Sequence, residues 1–451
     1  MKINPYIFKA YDIRGVYPEE IDEEASYIIG RAYVQFLSKK KPKIVVGQDN
    51  RLSSPSLFNA LTLGMIEQGA DIVDIGLSTS PMLYWACAFF EFDGGINITA
   101  SHNGAQYNGF KMEREKSIPI SEKSGIKEIA KLAMEGKFKK EARGEITRKE
   151  VLKDYVQFNL QGFDLKKIKP LEIVIDTANA VSGIVIPEIF QNANCQIYHI
   201  FSELDGHFLN HQPDPLKKEN IMVLSATVRE RRADFGIGFD GDGDRVIFVD
   251  EKGDQVEGDM ITALMAEIIL KEKPGEKILY DIRSSNSVKE TIEKEGGKAL
   301  IERIGHSYIK ERMRKENAIF GGELSGHYYH RDNFFCESPF FVIFKILERL
   351  SKTLEPFSEM TAPFKKYFSS GEINFKVKDK EKILKELEKN PPGGGETGKI
   401  LKMDGLRINF KDWWFLVRPS NTEPLLRLVI EGKSKELVEE KTHLLSDILN
   451  G

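Results

Sequence analysis

The chain has 451 residues, too many for one core of ordinary size, so roughly two to four domains are expected. Hydrophobic residues make up 41% and charged residues 30%, which excludes a disordered chain and fits a globular protein in water. A net charge of −4 argues against general nucleic-acid affinity, which needs clustered Lys and Arg, so no nucleic-acid partner is expected.

The N-terminus, Met1-Lys2-Ile3-Asn4-Pro5, leads into charged and aromatic residues without an apolar signal core. The longest apolar stretch, 340–344, is broken by Lys345 and is far too short for a span, so no membrane association is expected. The cytoplasm is the expected compartment. Cys87, Cys195 and Cys336 form no zinc or disulfide pattern and read as buried, reduced thiols.

Three segments share one plan: a β-branched run ends at an aspartate and turns into small polar residues. They are 43–49, 171–176 and 277–281, and they read as buried strands of a parallel sheet. In the first copy a helical stretch follows, then a strand at 70–75, a second helical stretch, and a strand at 95–98. That last strand runs into Thr99-Ala100-Ser101-His102-Asn103. Ser101 is a hydroxyl at a strand end, although most such serines cap helices and the hydrolase elbow Gly-x-Ser-x-Gly is absent. Lys111 follows in Asn108-Gly109-Phe110-Lys111, either as a surface lysine or as a cation or proton carrier beside a phosphate.

In the second copy the alternating segment 233–239 enters Asp240-Gly241-Asp242-Gly243-Asp244-Arg245, and the apolar run 246–249 leaves it. Three carboxylates at alternate positions repel one another unless a cation sits among them, and Mg²⁺ and Ca²⁺ take oxygen ligands. An EF-hand is disfavoured because Arg245 stands where its loop needs Gly and because the flanks read as strands. A plain acidic turn is the other alternative.

In the third copy a strand at 318–320 precedes Gly321-Gly322-Glu323-Leu324-Ser325-Gly326-His327. A carboxylate and a hydroxyl presented together suit sugar hydroxyls, and His327 reads either as structural or as a group that binds or moves protons. Matching order in all three copies implies three α/β units of related plan, whose loops lie beyond the carboxyl ends of their strands. From about Lys366 the chain reads as a smaller α+β domain: an alternating strand at 373–377, a solvated helix at 379–389 and a last helix near 434–449. Within it, Gly393-Gly394-Gly395-Glu396-Thr397-Gly398-Lys399 resembles a nucleotide P-loop, but Ile400 replaces the metal-binding hydroxyl and no buried strand precedes it. Arg418-Pro419-Ser420-Asn421-Thr422-Glu423-Pro424 offers a guanidinium, hydroxyls and an amide at a tight turn, either a phosphate cradle or a plain turn.

These segments, with Phe8-Lys9-Ala10-Tyr11-Asp12-Ile13-Arg14-Gly15 at the start, resemble in order the motifs of the α-D-phosphohexomutases, closest to the bacterial phosphomannomutase/phosphoglucomutase branch. The resemblance implies an α/β fold of four domains around a central cleft, three related α/β units with mixed sheets and a C-terminal α+β domain. The expected boundaries are 1–150 with the phosphoserine loop, 151–254 with the metal loop, 255–365 with the sugar-binding loop and 366–451 with the phosphate-binding loop. It implies exchange of hexose 6-phosphate and hexose 1-phosphate, of mannose and/or glucose, through a phosphoserine and a hexose 1,6-bisphosphate.

By the same resemblance Ser101 is the phosphoserine, and with Asp240, Asp242 and Asp244 it would hold Mg²⁺. Arg14, Lys111 and His327 would be the charge and proton-transfer groups. Glu323 and Ser325 would contact sugar hydroxyls, and Arg418, Ser420, Asn421 and Thr422 would clamp the phosphate that is not transferred. Tyr11, Arg245, Arg283 and His306 fall on further substrate positions, with Arg283 standing where Lys is common. A monomer or dimer is expected. Phosphoglucosamine mutase is the nearest alternative within the family, but its usual Gln and Gly stand here as Leu324 and Asn421. A metal-dependent phosphoserine phosphohydrolase is the alternative outside it. Two departures stand out: Gly104 replaces a usual Pro, which would loosen the serine loop, and Cys336-Glu337-Ser338-Pro339 replaces an acidic turn, which obscures the start of the next helix.

Overall fold

The computed structural model describes residues 3–139, 141–419 and 425–450. They divide into two compact units. The first runs to Gly258 and adds Lys310–Phe320 and Ser325–Met360; the second comprises Asp259–Ile309, Gly321–Leu324 and the chain from Thr361 onward.

The first repeat begins with β1 (Ile13–Val16) and α1 (Glu23–Leu37), then runs β2 (Lys43–Gln48), α2 (Ser54–Glu67), β3 (Asp71–Leu77), α3 (Ser80–Phe89), β4 (Gly94–Ile98) and β5 (Tyr107–Arg114). The sheet order is β1-β5-β4-β2-β3, with Ile146–Arg148 beyond β3. β2 pairs in parallel with β3 and β4, and β5 runs antiparallel to β4 and β1. Ile44, Val45 and Val46 of β2 are all buried because helices cover both faces of a parallel strand.

The second repeat repeats that order. β6 (Leu171–Asp176), α4 (Ile186–Phe190), β7 (Cys195–Ile200), α5 (Lys218–Arg231), β8 (Phe235–Phe239) and β9 (Val246–Asp250) form a sheet in the order β7-β6-β8-β9. Two parallel pairings are followed by one antiparallel pairing, as in the first repeat. The expected alternation before the acidic loop gives way to five buried residues in β8, since this strand is central and has no solvent face.

The third repeat supplies β10 (Lys277–Asp281), α6 (Asn286–Lys294), β11 (Lys298–Glu302), α7 (His306–Glu316), β12 (Phe320–Gly322), β13 (Tyr328–His330), β14 (Cys336–Glu337) and α8 (Pro339–Lys352). β10 and β11 pair in parallel, and β13 and β14 antiparallel. Gly321 and Gly322 continue the strand that the sequence predicts to stop at Phe320. A Cβ on Gly322 would lie 2.2 Å from Thr262 Oγ1, so close packing explains a glycine inside a strand. The Cys336–Pro339 departure resolves into a short strand followed by a helix that starts at Pro339, where the lost N–H costs nothing.

In the last part, β15 (Ile373–Lys376), α9 (Lys380–Lys389), β16 (Leu406–Asn409), β17 (Trp413–Pro419), β18 (Leu425–Gly432) and α10 (Lys435–Asn450) form an antiparallel sheet with helices. Phe415, Val417, Leu426, Leu428 and Ile430 share its core with Val438, Leu445 and Leu449 of α10. Helix α9 is capped by Asp379 and buries Leu387, so it is solvated on one face only. The P-loop-like segment leads into the strand Lys399–Leu401 and not into a helix, so it lacks the helix N-terminus that cradles phosphate.

Candidate active site

β4 delivers the serine loop. Ser101 has φ +49°, a left-handed backbone that non-glycine residues adopt only when their surroundings enforce it. Its N–H donates to Thr99 Oγ1 (2.9 Å), and its Oγ donates to Asp240 Oδ2 (2.8 Å) and lies 3.2 Å from His102 Nδ1. Burial, together with the positive charges of Arg245, Arg14 and Lys111, pushes the His102 ring well below its ordinary pKa, so the group beside Ser101 is a neutral imidazole.

The acidic loop joins β8 to β9, which are antiparallel strands and not the helices of an EF-hand. Gly243, at φ +71°, closes the turn by donating to Asp240 O, and the Arg245 N–H donates to Asp240 Oδ1. A Cβ on Gly241 would lie 2.4 Å from Ser101 O, so this glycine lets the two loops touch. Asp240, Asp242 and Asp244 are buried, and one oxygen from each lies within 4.8 Å of the others, an arrangement that could hold a metal ion. Asp242 Oδ1 is buried without a hydrogen-bond partner, a lone pair facing the interior that suits a hard cation. Burial and the neighbouring carboxylates push Asp240 up to about 8, while Lys111 and His327 outweigh burial at Asp244 and hold it well below the ordinary range.

Basic side chains surround these acids. Lys111, on β5, is no surface lysine: its Nζ lies 2.6 Å from Asp242 Oδ2 and also contacts Asp244 Oδ2. Burial opposes its charge, but Asp242 and Asp244 more than offset this and raise its pKa, so it stays an ammonium. His327 places Nε2 3.2 Å from Asp244 Oδ1 and Nδ1 3.0 Å from Ser325 Oγ. Arg245 Nε lies 4.0 Å from Asp240 Oδ2. Arg14, on β1, donates to Asn103 Oδ1 (2.7 Å) and to Asp12 (2.5 Å), and half-buried Tyr11 precedes that strand. The first unit therefore gathers Ser101, the three aspartates, Lys111, Arg14, Arg245, Ser325 and His327.

The second unit holds the others. Arg283 Nη2 donates to Asp281 Oδ2 (2.8 Å), and that same oxygen accepts the Leu324 N–H (2.8 Å). Glu323 is buried and accepts the Gly305 N–H, next to His306 at the start of α7. Arg418, near the end of β17, donates Nε to Asp404 (3.0 Å). Ser420, Asn421 and Thr422 lie outside the described residues.

Four family models match the chain in order. Phosphoglucomutase/phosphomannomutase α/β/α domains I, II and III match residues 5–140, 153–253 and 257–367, and the C-terminal domain matches 372–445. The chain belongs to the phosphoglucomutase/phosphomannomutase family. A phosphomannomutase of Vibrio cholerae is 39% identical, covering 98% of both chains. A phosphomannomutase/phosphoglucomutase of Pseudomonas putida is 36% identical over 95% of this chain and 92% of its own. The crystal structure of a phosphoglucomutase/phosphomannomutase family protein from Burkholderia thailandensis superposes with a TM-score of 0.91 at 30% identity, covering 99% of this chain and 97% of that one.

Two residues of this family member escape the motif reading. Ser80 donates N–H to Asp242 O (2.9 Å) and Oγ to Asp242 Oδ2 (2.5 Å), bracing the acidic loop from the start of α3. Arg51 spans the serine loop from beneath, and with it Gly104: the carbonyl of Gly104 accepts Arg51 Nη1 at 2.6 Å. The loop is therefore fastened at the position where the missing proline would loosen it. The signal for Arg51 lay in the repeat itself, since Asp49-Asn50-Arg51 and Asp281-Ile282-Arg283 occupy equivalent places.

Proposed function

We propose that the protein interconverts hexose 6-phosphate and hexose 1-phosphate, of glucose and/or mannose, by passing a phosphoryl group through Ser101 and a hexose 1,6-bisphosphate. The observation that carries this reading is the 2.8 Å bond from Ser101 Oγ to Asp240, inside a buried group of three aspartates. A serine so placed is held for charge-stabilised chemistry at its hydroxyl and not for capping a helix. The four domains are assigned to 1–150, 151–254, 255–365 and 366–451.

Mg²⁺ is the proposed metal, held by Asp240, Asp242, Asp244 and phosphorylated Ser101. It would supply positive charge to the phosphoryl oxygens. With a metal bound the three aspartates would all be ionised, and against Lys111 and Arg245 they would leave a net −1. A phosphoserine adds about −1.5 to −2, which a divalent cation offsets.

Phosphoryl transfer depends chiefly on positioning and charge. In the proposed cycle a sugar hydroxyl attacks the phosphorus of phosphoserine 101 as the bond from phosphorus to Oγ breaks. His327 takes the hydroxyl proton, the Lys111 ammonium returns one to Ser101 Oγ, and Arg14 holds the negative charge. Glu323 and Ser325 bind sugar hydroxyls, with Tyr11, Arg245, Arg283 and His306 as further contacts. Arg418, Ser420, Asn421 and Thr422 grip the phosphate that stays on the sugar. The bisphosphate then turns over and its other phosphate returns to Ser101. The free cysteines Cys87, Cys195 and Cys336 accord with the reducing cytoplasm.

A coupled assay with glucose, mannose and glucosamine 1-phosphates, Mg²⁺ and a trace of hexose 1,6-bisphosphate tests this reading. Isomer formation with the glucose or mannose substrate is expected, with none from Ser101→Ala. Near-normal turnover by that variant rejects the phosphoserine, and release of free phosphate without isomer points to a phosphohydrolase.

A further inference from the structure

Arg51 is fully buried, yet none of the roles above falls to it. Its guanidinium has five N–H bonds, and five acceptors meet them. Nε donates to Asp49 Oδ2 (2.9 Å). Nη1 donates to the carbonyls of Gly104 (2.6 Å) and Tyr107 (3.1 Å). Nη2 donates to those of Ser101 (2.7 Å) and Asn103 (2.8 Å). Four of the five acceptors are thus backbone oxygens of the serine loop.

The anchor is itself fixed. Asp49 Oδ1 accepts the Arg51 N–H (3.0 Å) and Ser54 Oγ (2.7 Å). The Phe208 ring lies 5.0 Å from the guanidinium carbon. Meanwhile the loop ties itself together weakly: its own backbone bonds are Asn103 N to Ala100 O and Tyr107 N to Gly104 O, each 3.1 Å. Ser101 is nonetheless held in a left-handed conformation, with its carbonyl against Gly241 of the acidic loop. A shift of that carbonyl would move Oγ relative to the aspartates.

We propose that Arg51 is the positioning residue of the phosphoserine loop, setting the place of Ser101 Oγ by holding four carbonyls of residues 101–107 with one planar cation. This rests on the reading of Ser101 as the phosphoryl acceptor. Lysine cannot substitute, because three tetrahedral donors do not span four acceptors that a flat fork reaches. The effect belongs to the chemical step and not to substrate capture, since Arg51 is sealed from solvent.

The test compares Arg51→Lys with wild type, counting active sites by phosphoserine content. The expected result is a kcat about 100-fold lower with KM within about threefold, the signature of a misplaced reacting group. Single-turnover transfer from hexose 1,6-bisphosphate to Ser101, read by mass spectrometry, is expected to fall by the same factor. Wild-type kcat and transfer rate in the variant overturn the proposal, as does a loss of activity that only tracks the fraction of folded protein. If Arg51→Lys does not fold, Asp49→Asn decides, with the same kcat-only loss expected at smaller size and wild-type kcat overturning the proposal. Failure of wild-type Ser101 itself to take up phosphate would instead remove the phosphoserine reading beneath it.

Discussion

At the end of β2 in the first repeat the chain reads Asp49-Asn50-Arg51, and at the end of β10 in the third it reads Asp281-Ile282-Arg283. Both aspartates fold the chain the same way: Oδ1 accepts the N–H two residues on, at 3.0 Å from Arg51 and 2.7 Å from Arg283. The second repeat keeps this turn, with Ala178 N donating to Asp176 at 2.8 Å, but carries no arginine. The two arginines then part company. Arg51 spends every N–H within its own repeat, and burial lowers its pKa despite Asp49. Arg283 keeps its side chain 17% exposed, and among the described residues it bonds only Asp281. Burial opposes its charge too, but Asp281 and Glu323 outweigh that and raise its pKa.

The loop around Arg283 is braced by a different residue. Arg407, on β16, donates to Ile282 O (2.6 Å), Ser284 O (3.3 Å) and Asn286 Oδ1 (3.0 Å), and it lies 3.7 Å from the Trp414 ring centroid. Burial pushes it down to about 10. In the first repeat the motif arginine is the brace. In the third a remote arginine takes that task, and Arg283 stays partly exposed. One repeated motif thus gives a sealed brace in one place and, in another, a partly exposed guanidinium that the proposed function assigns to substrate.

The largest effect that would break this comparison is at the remote brace. Arg407→Met takes its donors from two buried carbonyls and from half-buried Asn286, and a loss of about 2–4 kcal/mol in unfolding free energy is expected from urea titration. An unchanged midpoint would mean that the third loop holds itself. Next comes Arg283→Ala, which removes a charge-assisted contact worth about 1.5–3 kcal/mol. Steady-state kinetics are expected to show KM rising about 10- to 100-fold with little change in kcat. A loss in kcat alone would make Arg283 a second Arg51 and erase the distinction.

The smallest effect lies on β5, which leaves the loop that Arg51 holds. Two residues beyond Lys111, Glu113 shares the buried Lys310 ammonium with Glu337, at 3.4 and 3.0 Å. Burial, and next to it Glu337, push Glu113 up to about 7 from an ordinary 4.5, although Lys310 pulls the other way. A raised carboxyl stabilises the fold below its unfolded pKa and loses that contribution as pH rises through the folded one. Wild-type stability therefore falls relative to Glu113→Gln between about pH 4.5 and 7. Thermal melts at both ends of that window check this, and a parallel pH dependence would exclude titration of Glu113 there.

The strands were legible because a parallel strand buried on both faces must be a continuous β-branched run, as at Ile44-Val45-Val46 and Ile173-Val174-Ile175. The acidic loop was legible because three carboxylates at alternate positions are costly without a cation. The repeat could have drawn attention to Arg51 but not to its task, since nothing in Asp49-Asn50-Arg51 says that five acceptors will surround its side chain. The same holds for the depth at which Lys111 lies against Asp242, and for Lys310, which meets Glu113 across 197 positions of chain.

By itself, then, the sequence determined the repeated plan, the places of its buried strands and which loops carry charge, because local periodicity and turn chemistry settle those matters. Only the tertiary structure decided which charged groups are sealed away and which remain open to a ligand. Desolvation and hydrogen-bond satisfaction depend on neighbours brought in from distant parts of the chain, and two identical Asp-x-Arg turns can acquire opposite fates.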